Sequence, residues 1–379
     1  MQHVRSRVRG DVPGITGSDT SEHASTRFTQ PNDGPKRSRH GADDRISRRR
    51  TMFNKSTARV RLTGVLAGAA VLALAACSGG TDSADSTDGG AGGSENIRVG
   101  FSQLGAESGW RTANTESVKA NLTAENGIDL TFVDAQQKQE NQIKALRDFI
   151  DQDVDVIAFS PVIETGWDEV LQEIKDAEIP VVLVDRTVDT TVEDPFVTWI
   201  GADFTAEGVT AGEWVKENAA DAKIFELQGT MGSGAQTNRQ EGFRSVVGDQ
   251  VVGEASGNFT RAEGKAATEA ALQAYPDLNL IFAHNDDMGL GAIEAIEAAG
   301  KVPGKDIQIV TVDGVHDGLT ALLEGKFNFV VECNPAFGDQ LLELVKQVAA
   351  GEDVPKETIV VDQAFDQTIT QEIIDGRSF

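Results

Sequence analysis

From residue 97 onward, short runs of β-branched and apolar residues alternate with segments whose apolar residues recur every three or four positions. The runs predict β-strands, and the periodic segments predict amphipathic helices, such as residues 139–151 and 167–177. The predicted strands cover residues 97–103, 129–133, 154–160, 181–185, 223–228, 280–284, 307–313 and 327–332. The regular order of strand, helix and strand predicts parallel sheets joined by right-handed crossovers.

The alternating pattern extends over about 285 residues, which is more than one open sheet comfortably holds. It breaks near residues 200–203 and restarts with a helical stretch at residues 205–218. We therefore predict an α/β fold of two Rossmann-like lobes with parallel sheets. Ligands of such sheets bind beyond the carboxyl ends of the strands, so the candidate chemistry is expected there.

Charge divides the chain into a basic leader and an acidic body. Residues 1–76 carry 14 Lys and Arg against 6 Asp and Glu, whereas residues 77–379 carry 20 against 54. The acidic body excludes a general nucleic-acid binder, which needs a basic surface. The chain has two cysteines, Cys77 and Cys333, so it forms no disulfide framework or multi-cysteine metal site.

The leader contains a pattern typical of export. Residues 52–76 combine basic residues with an apolar stretch too short to span a membrane. The sequence Leu-Ala-Ala before Cys77 resembles the lipobox of bacterial lipoproteins, so lipid attachment at Cys77 is predicted; the alternative is an ordinary signal peptide with a chance cysteine. Residues 77–95 form a glycine-rich flexible tether, and residues 1–51 are expected to be untranslated or disordered, with translation starting at Met52.

Polar residues cluster at the carboxyl ends of the predicted strands and in the loops that follow. Carboxylates, carboxamides and guanidinium groups there suit a polyol, because each sugar hydroxyl both donates and accepts hydrogen bonds. Each residue also has a structural interpretation as an ion pair, a helix cap or a turn. The candidate sugar contacts are Glu107, Ser108, Gly109, Trp110, Arg111, Asp185, Arg186, Arg239, Asn285 and Asp313. Trp110 and Phe259 are candidates for the flat apolar faces that cover the C–H surface of a sugar.

Signals of enzymatic activity are weak. Of the histidines, only His284 and His316 lie in the body, and neither has a serine or cysteine nucleophile in a recognisable motif. The glycine-rich residues 229–234 lack the Lys-Ser/Thr ending of a phosphate-binding loop. Adjacent Asp286 and Asp287 are more typical of a helix start than of a metal site. We predict no catalytic residues, no cofactor and no metal.

Residues 96–379 resemble the type I periplasmic sugar-binding proteins of ATP-driven ABC importers, and most of all the galactofuranose-binding proteins. The most specific segments are residues 107–111 and 136–143. The resemblance also rests on residues 100–106, 183–186, 226–230, 283–288 and 312–315. It implies that the ten candidate residues contact a monosaccharide, and that residues 332–334 align with a crossover segment that often touches ligand, in which Cys333 is an uncommon residue.

The resemblance also implies the organisation and the partners of the protein. Residues 96–200 and 333–355 would form the N-terminal lobe, and residues 201–332 and 356–379 the C-terminal lobe. The crossing segments are expected near residues 200–202, 332–334 and 354–362, where they form a three-segment hinge. Sugar would close the lobes, and a monomer tethered outside the cytoplasmic membrane would deliver it to an ABC permease and its ATPase.

Two alternatives stay open at this point. The protein could present bound sugar to a membrane signalling protein instead of a permease. The sugar could be ribose, arabinose, xylose or galactose instead of galactofuranose, because side-chain angles and waters can decide how one hydroxyl is recognised.

Overall fold

The structure is a computed structural model that describes residues 96–379. The predicted signal segment 52–76, the lipid-attachment residue Cys77, the tether and residues 1–51 lie outside the described residues. No helix in the described part is long and apolar enough to cross a membrane.

Two six-stranded sheets organise residues 96–379, as predicted. The first sheet has the order β11-β5-β4-β3-β1-β2, and every neighbouring pair in it is parallel. Its strands are β1 (Ile97–Gln103), β2 (Ile128–Asp134), β3 (Val156–Phe159), β4 (Val181–Val184), β5 (Thr198–Gly201) and β11 (Glu357–Ile359).

The second sheet repeats the arrangement of the first. Its strands are β6 (Ile224–Gln228), β7 (Val251–Ser256), β8 (Leu280–Ala283), β9 (Gln308–Asp313), β10 (Phe329–Glu332) and β12 (Ala364–Asp366). They lie in the order β12-β10-β9-β8-β6-β7, and β12 alone is antiparallel to its neighbour.

Helices connect the strands. They are α1 (Gly109–Asn121), α2 (Gln139–Asp151), α3 (Asp168–Asp176), α4 (Phe204–Asn218), α5 (Gly234–Val247), α6 (Arg261–Ala274), α7 (Asp286–Ala298), α8 (His316–Leu323), α9 (Gly338–Ala349) and α10 (Gln371–Asp375). Strands β3, β4, β8 and β10 are buried along their whole length, as expected for parallel sheets covered by helices on both faces.

Eight of the strands were predicted from sequence, and β5, β7, β11 and β12 were not. Strands β11 and β12 have three residues each, too few for a periodic signal, and β7 is half exposed at the edge of its sheet. The predicted break at residues 200–203 falls at the end of β5.

The chain passes between the two sheets in three places: after β5, after β10, and between β11 and β12. These crossovers comprise residues 202–203, 333–337 and 360–363. The predicted lobe boundary at residue 355 is too early, because β11 pairs with β5 of the first sheet, with Glu357 opposite Trp199. Residues 357–359 therefore belong to the first lobe.

Helices α4 and α5 pack with their backbones in close contact through two glycines. A Cβ atom on Gly208 would lie 2.3 Å from the carbonyl oxygen of Arg239, and one on Gly242 would lie 2.2 Å from that of Thr205. Both distances are below van der Waals contact, so neither position accepts a larger residue without separating the helices. The close approach holds Arg239 on α5 beside Glu207 on α4.

Gly242→Ala should destabilise the protein by about 1–3 kcal/mol, because the added methyl group overpacks the α4–α5 contact. Gly248→Ala, at the end of the same helix, is the matched control. Its φ of −55° is helical and its new Cβ would lie 3.4 Å from the nearest atom, the Cβ of Arg244. Urea unfolding measures both variants, and equal stabilities would refute the packing argument.

Candidate functional site

A cavity lies between the two lobes, at the carboxyl ends of their strands. The structure places nine of the ten predicted contact residues around it and leaves out Gly109, whose amide faces the other lobe at the rim. The cavity is lined by Glu107, Ser108, Trp110, Arg111, Asp185, Arg186, Phe204, Ala235, Arg239, Phe259, Asn285, Asp313 and Cys333.

The wall from the first lobe is built around Arg111 in the first turn of α1. Its guanidinium donates to the carboxylate of Asp185 at 2.5 Å and to that of Glu107 at 3.2 Å. It also donates to Gln103 Oε1 at 3.3 Å and to Ser160 Oγ at 3.4 Å. Burial alone would lower the pKa of Arg111, but the charges of Asp185 and Glu107 outweigh it and raise the pKa.

Arg186 lies beside Arg111 and has fewer hydrogen-bond partners. Its Nη1 donates to the carbonyl oxygen of Val162 at 2.9 Å, whereas its nearest approach to the carboxylates of Glu107 and Asp185 is 3.8 Å. Burial and the neighbouring charge of Arg111 lower the pKa of Arg186 to about 10, so it remains charged at neutral pH. Its buried Nε has no hydrogen-bond partner, which leaves a donor for a ligand.

The wall from the second lobe is built around Arg239, in the middle of α5. Its Nε donates to Glu207 Oε2 at 2.6 Å, and its Nη1 donates to the carbonyl oxygen of His284 at 2.6 Å. Burial opposes the charge of Arg239, but Glu207 and other nearby acids, Asp313 among them, raise its pKa. Burial raises the pKa of Asp313, which lies 3.9 Å from Arg239, and Asp313 Oδ2 has no partner.

Asn285 performs the structural role that was the alternative interpretation. Its Oδ1 accepts a hydrogen bond from the amide of Met288 at 3.0 Å and so caps α7. Its Nδ2 donates to the carbonyl oxygen of Phe259 at 3.1 Å. Asn285 therefore both caps a helix and forms part of the cavity wall.

Two aromatic rings provide flat apolar surfaces in the cavity. Trp110 is buried, and its Nε1 donates to the carbonyl oxygen of Cys333 in the second crossover at 2.6 Å. Phe259 lies opposite, with its ring centre 5.3 Å from the guanidinium carbon of Arg186 in the other lobe. Flat rings of this kind cover the C–H faces of a sugar.

The backbone is strained where it presents these groups. Asp185, Phe259 and Asp313 have φ angles of 64°, 62° and 130°, in a region that residues other than glycine rarely adopt. Such strain persists only where the surrounding structure enforces it, and it is commonly found at functional sites.

The unpartnered buried atoms indicate what kind of ligand the cavity fits. Glu107 Oε2 and Asp313 Oδ2 are free acceptors, and Arg186 Nε is a free donor. A hydroxyl group satisfies either kind, because it both donates and accepts. The lining contains three arginines and three acidic residues, so the arrangement favours a neutral polyol over an ion.

Three residues beside the cavity were not among the predicted contacts: Phe204, Glu207 and Ala235. Glu207 shares the buried face of α4 with Phe204, Gly208 and Ala211, and it is 2% exposed. An acidic residue on an otherwise apolar helix face needs a buried partner, and this is the signal that could have identified it.

Within residues 96–379, no group of three or more His, Cys, Asp or Glu side chains is arranged to hold a metal ion. The carboxylate of Asp286 is buried and accepts hydrogen bonds from Thr311 Oγ1 and from the amides of Gly314 and Val315. Asp287 instead reaches the other lobe. The adjacent acids therefore have separate structural partners.

Comparison with known proteins identifies the family of the chain. Residues 99–353 match the periplasmic binding protein domain family. The galactofuranose-binding protein YtfQ of Escherichia coli K12 is 44% identical over 248 residues, which cover 63% of this chain and 78% of YtfQ.

Solved structures extend the similarity to proteins with bound sugars. A Mycobacterium smegmatis protein in complex with β-D-fucofuranose has 53% identity and a TM-score of 0.70, with 72% of this chain and 92% of that chain covered. The binding component of the arabinose ABC transporter of Shewanella sp. ANA-3, bound to α- and β-L-arabinofuranose, has 44% identity and a TM-score of 0.71, with 74% and 95% covered. The predicted resemblance is confirmed, and the chain belongs to the periplasmic binding protein family.

Proposed function

We propose that this protein captures a neutral monosaccharide outside the cytoplasm and delivers it to an ABC import permease. The observation that carries the proposal is the cavity between the lobes, where paired arginines and carboxylates surround buried polar atoms that have no partner. A galactofuranose-binding relative and the binding component of an arabinose ABC transporter support the same function.

Binding and closure are coupled because the cavity wall comes from both lobes. Arg111, Asp185 and Arg186 lie in the first lobe, and Arg239 and Asp313 lie in the second. A sugar that bonds to both walls stabilises the closed arrangement and shifts the equilibrium toward it. The three crossovers are the segments about which the lobes would turn, and the permease would recognise the closed form.

A furanose is the sugar form that the comparisons favour. The names of the relatives include galactofuranose, β-D-fucofuranose and L-arabinofuranose, which share a five-membered ring. Galactofuranose is therefore our first candidate, ahead of the pyranose forms of ribose, xylose and galactose.

A thermal-shift screen with D-galactose, L-arabinose, D-fucose, D-ribose and D-xylose tests this function, because each free sugar interconverts between its furanose and pyranose forms in water. A bound sugar should raise the unfolding temperature, and at equal concentration the tighter-binding sugar should raise it more, because the sugar binds the native state. Arg239→Ala and Asp185→Ala should each weaken binding of the best sugar by about 2–5 kcal/mol, since each leaves a buried charge without its partner. Calorimetry measures this loss, which corresponds to about 30-fold or more in affinity.

Arg147→Ala is the control for the arginine variant. Arg147 forms ion pairs with Glu169 and Glu173 on the surface of the same protein, far from the cavity lining, so its loss should leave affinity unchanged. Unchanged affinity in both site variants would contradict the assignment of the cavity residues. A wild-type protein that no neutral monosaccharide stabilises would contradict the function itself.

We further propose that Cys77 carries a lipid that tethers the exported body to the outer face of the cytoplasmic membrane. The proposal is supported by the lipobox-like sequence before Cys77 and by the glycine-rich residues 78–94 after it. Such a coil would leave the lobes free to close and to reach a permease in the same membrane.

Cys77→Ala should abolish incorporation of labelled palmitate and release the protein from the membrane fraction. Cys333→Ala is the matched control, because Cys333 is the other cysteine of the chain and is buried in the body. Metabolic labelling followed by fractionation distinguishes the two variants. Palmitate label that persists in Cys77→Ala would refute the tether.

A further inference from the structure

Two hydrogen bonds join the lobes at the rim of the cleft. The amide of Gly109 in the first lobe donates to Asp287 Oδ2 in the second at 2.7 Å. The amide of Glu164 in the first lobe donates to the carbonyl oxygen of Gly232 in the second at 2.9 Å. None of these four residues lines the cavity. The second bond joins two backbone groups, so only the first depends on a side chain.

The amide of Gly109 is well suited to receive a carboxylate. Gly109 is the first residue of α1, where amides have no partner within the helix. Ser108 caps this helix, but its Oγ accepts from the amide of Arg111 and leaves that of Gly109 free. The positive end of the helix dipole adds an attraction for the negative charge of Asp287.

Asp287 is held in place from its own lobe. Its Oδ1 lies 3.5 Å from Arg261 Nε, so one carboxylate oxygen faces Arg261 while the other accepts from Gly109. Arg261 also pairs with Asp317, at 3.3 Å. The side chain of Asp287 is 17% exposed and that of Asp317 is 69% exposed. A carboxylate positioned in advance by Arg261 loses little conformational freedom when the lobes meet.

The position of this bond makes it sensitive to closure. Gly109 immediately precedes the cavity residues Trp110 and Arg111, and Asp287 lies two residues after Asn285. Because its two atoms belong to different lobes, the bond exists only while those lobes are together. Asp287 therefore stabilises the closed form without belonging to the cavity wall.

We propose that Asp287 is an interlobe latch that sets how long a bound sugar is retained. The proposal rests on the sugar-binding function proposed above. The carboxylate engages α1 after the sugar has entered and the lobes have closed, so it slows release of the sugar and leaves its entry unaffected. Because the latch contacts no sugar, it strengthens binding of every sugar by the same factor and does not select among them.

Asp287→Ala should raise the dissociation rate of the sugar by about 10-fold or more, which is the range for loss of a hydrogen bond to a charged group. The association rate should change little, and the ratio of affinities for two different sugars should stay the same. Asp287→Asn retains an oxygen acceptor and should lie between the wild type and Asp287→Ala. Stopped-flow fluorescence, with Trp110 in the cavity as the reporter, measures both rates for D-galactose and L-arabinose.

Asp317→Ala is the matched control. It removes a carboxylate that pairs with the same Arg261 but has no bond to the first lobe, so sugar release should stay at the wild-type rate. The latch is refuted if Asp287→Ala and Asp317→Ala release sugar equally fast, or if Asp287→Ala changes the preference between the two sugars. If Asp287→Ala fails to fold, the latch is tested with Asp287→Asn alone. An Asp287→Asn protein that releases sugar at the wild-type rate then refutes the latch. A wild-type protein that binds no monosaccharide refutes the sugar-binding function, and the latch with it.

Discussion

Guanidinium groups buried in the cleft impose the main constraint on this structure. Arg111, Arg186 and Arg239 are each nearly inaccessible to solvent, and a charge removed from water is tolerated only beside opposite charge and hydrogen-bond acceptors. Arg111 and Arg239 have close carboxylate partners, whereas Arg186 has a carbonyl and more distant carboxylates. The site is therefore a set of ion pairs with a few unused donors and acceptors, and a hydroxylated ligand can complete it.

Meeting this constraint requires features in both lobes that are unfavourable by themselves. The strained backbone at Asp185 and Asp313 turns carboxylates toward the arginines, and the close approach of α4 and α5 places Glu207 against Arg239. Gly208 and Gly242 permit that approach, although glycine is otherwise a poor helix former. The strained backbone and the helix glycines therefore lower local stability, but they hold the charged groups in position, as is common at functional sites.

These constraints explain which parts of the fold and of the candidate site could be predicted from sequence. Asp185 directly follows β4 and Asp313 is the last residue of β9, so the rule that parallel strands present their carboxyl ends to ligand located them. Glu207 lies inside a helix after a crossover, and only its pairing in three dimensions shows that it belongs beside Arg239. Strand β11 was missed because three residues carry no period, and its pairing with β5 is set by the return of the chain from α9. Asp287 was correctly placed at a helix start, but the helix whose amide it binds belongs to the other lobe.

Because the rim bond is separate from the cavity wall, the retention and the recognition of the sugar depend on different residues. Residues of the cavity wall, such as Arg239, interact with the sugar and with each other, so a change there alters preference and stability together. The bond at the rim lies outside the cavity lining, and Asp287 shares no hydrogen bond or ion pair with the arginines of the cavity. Retention time can then change through Asp287 while the recognition of hydroxyl groups is preserved. A binding protein must release its sugar to a permease, so a weak and separate closing contact is better suited to this task than a tighter cavity.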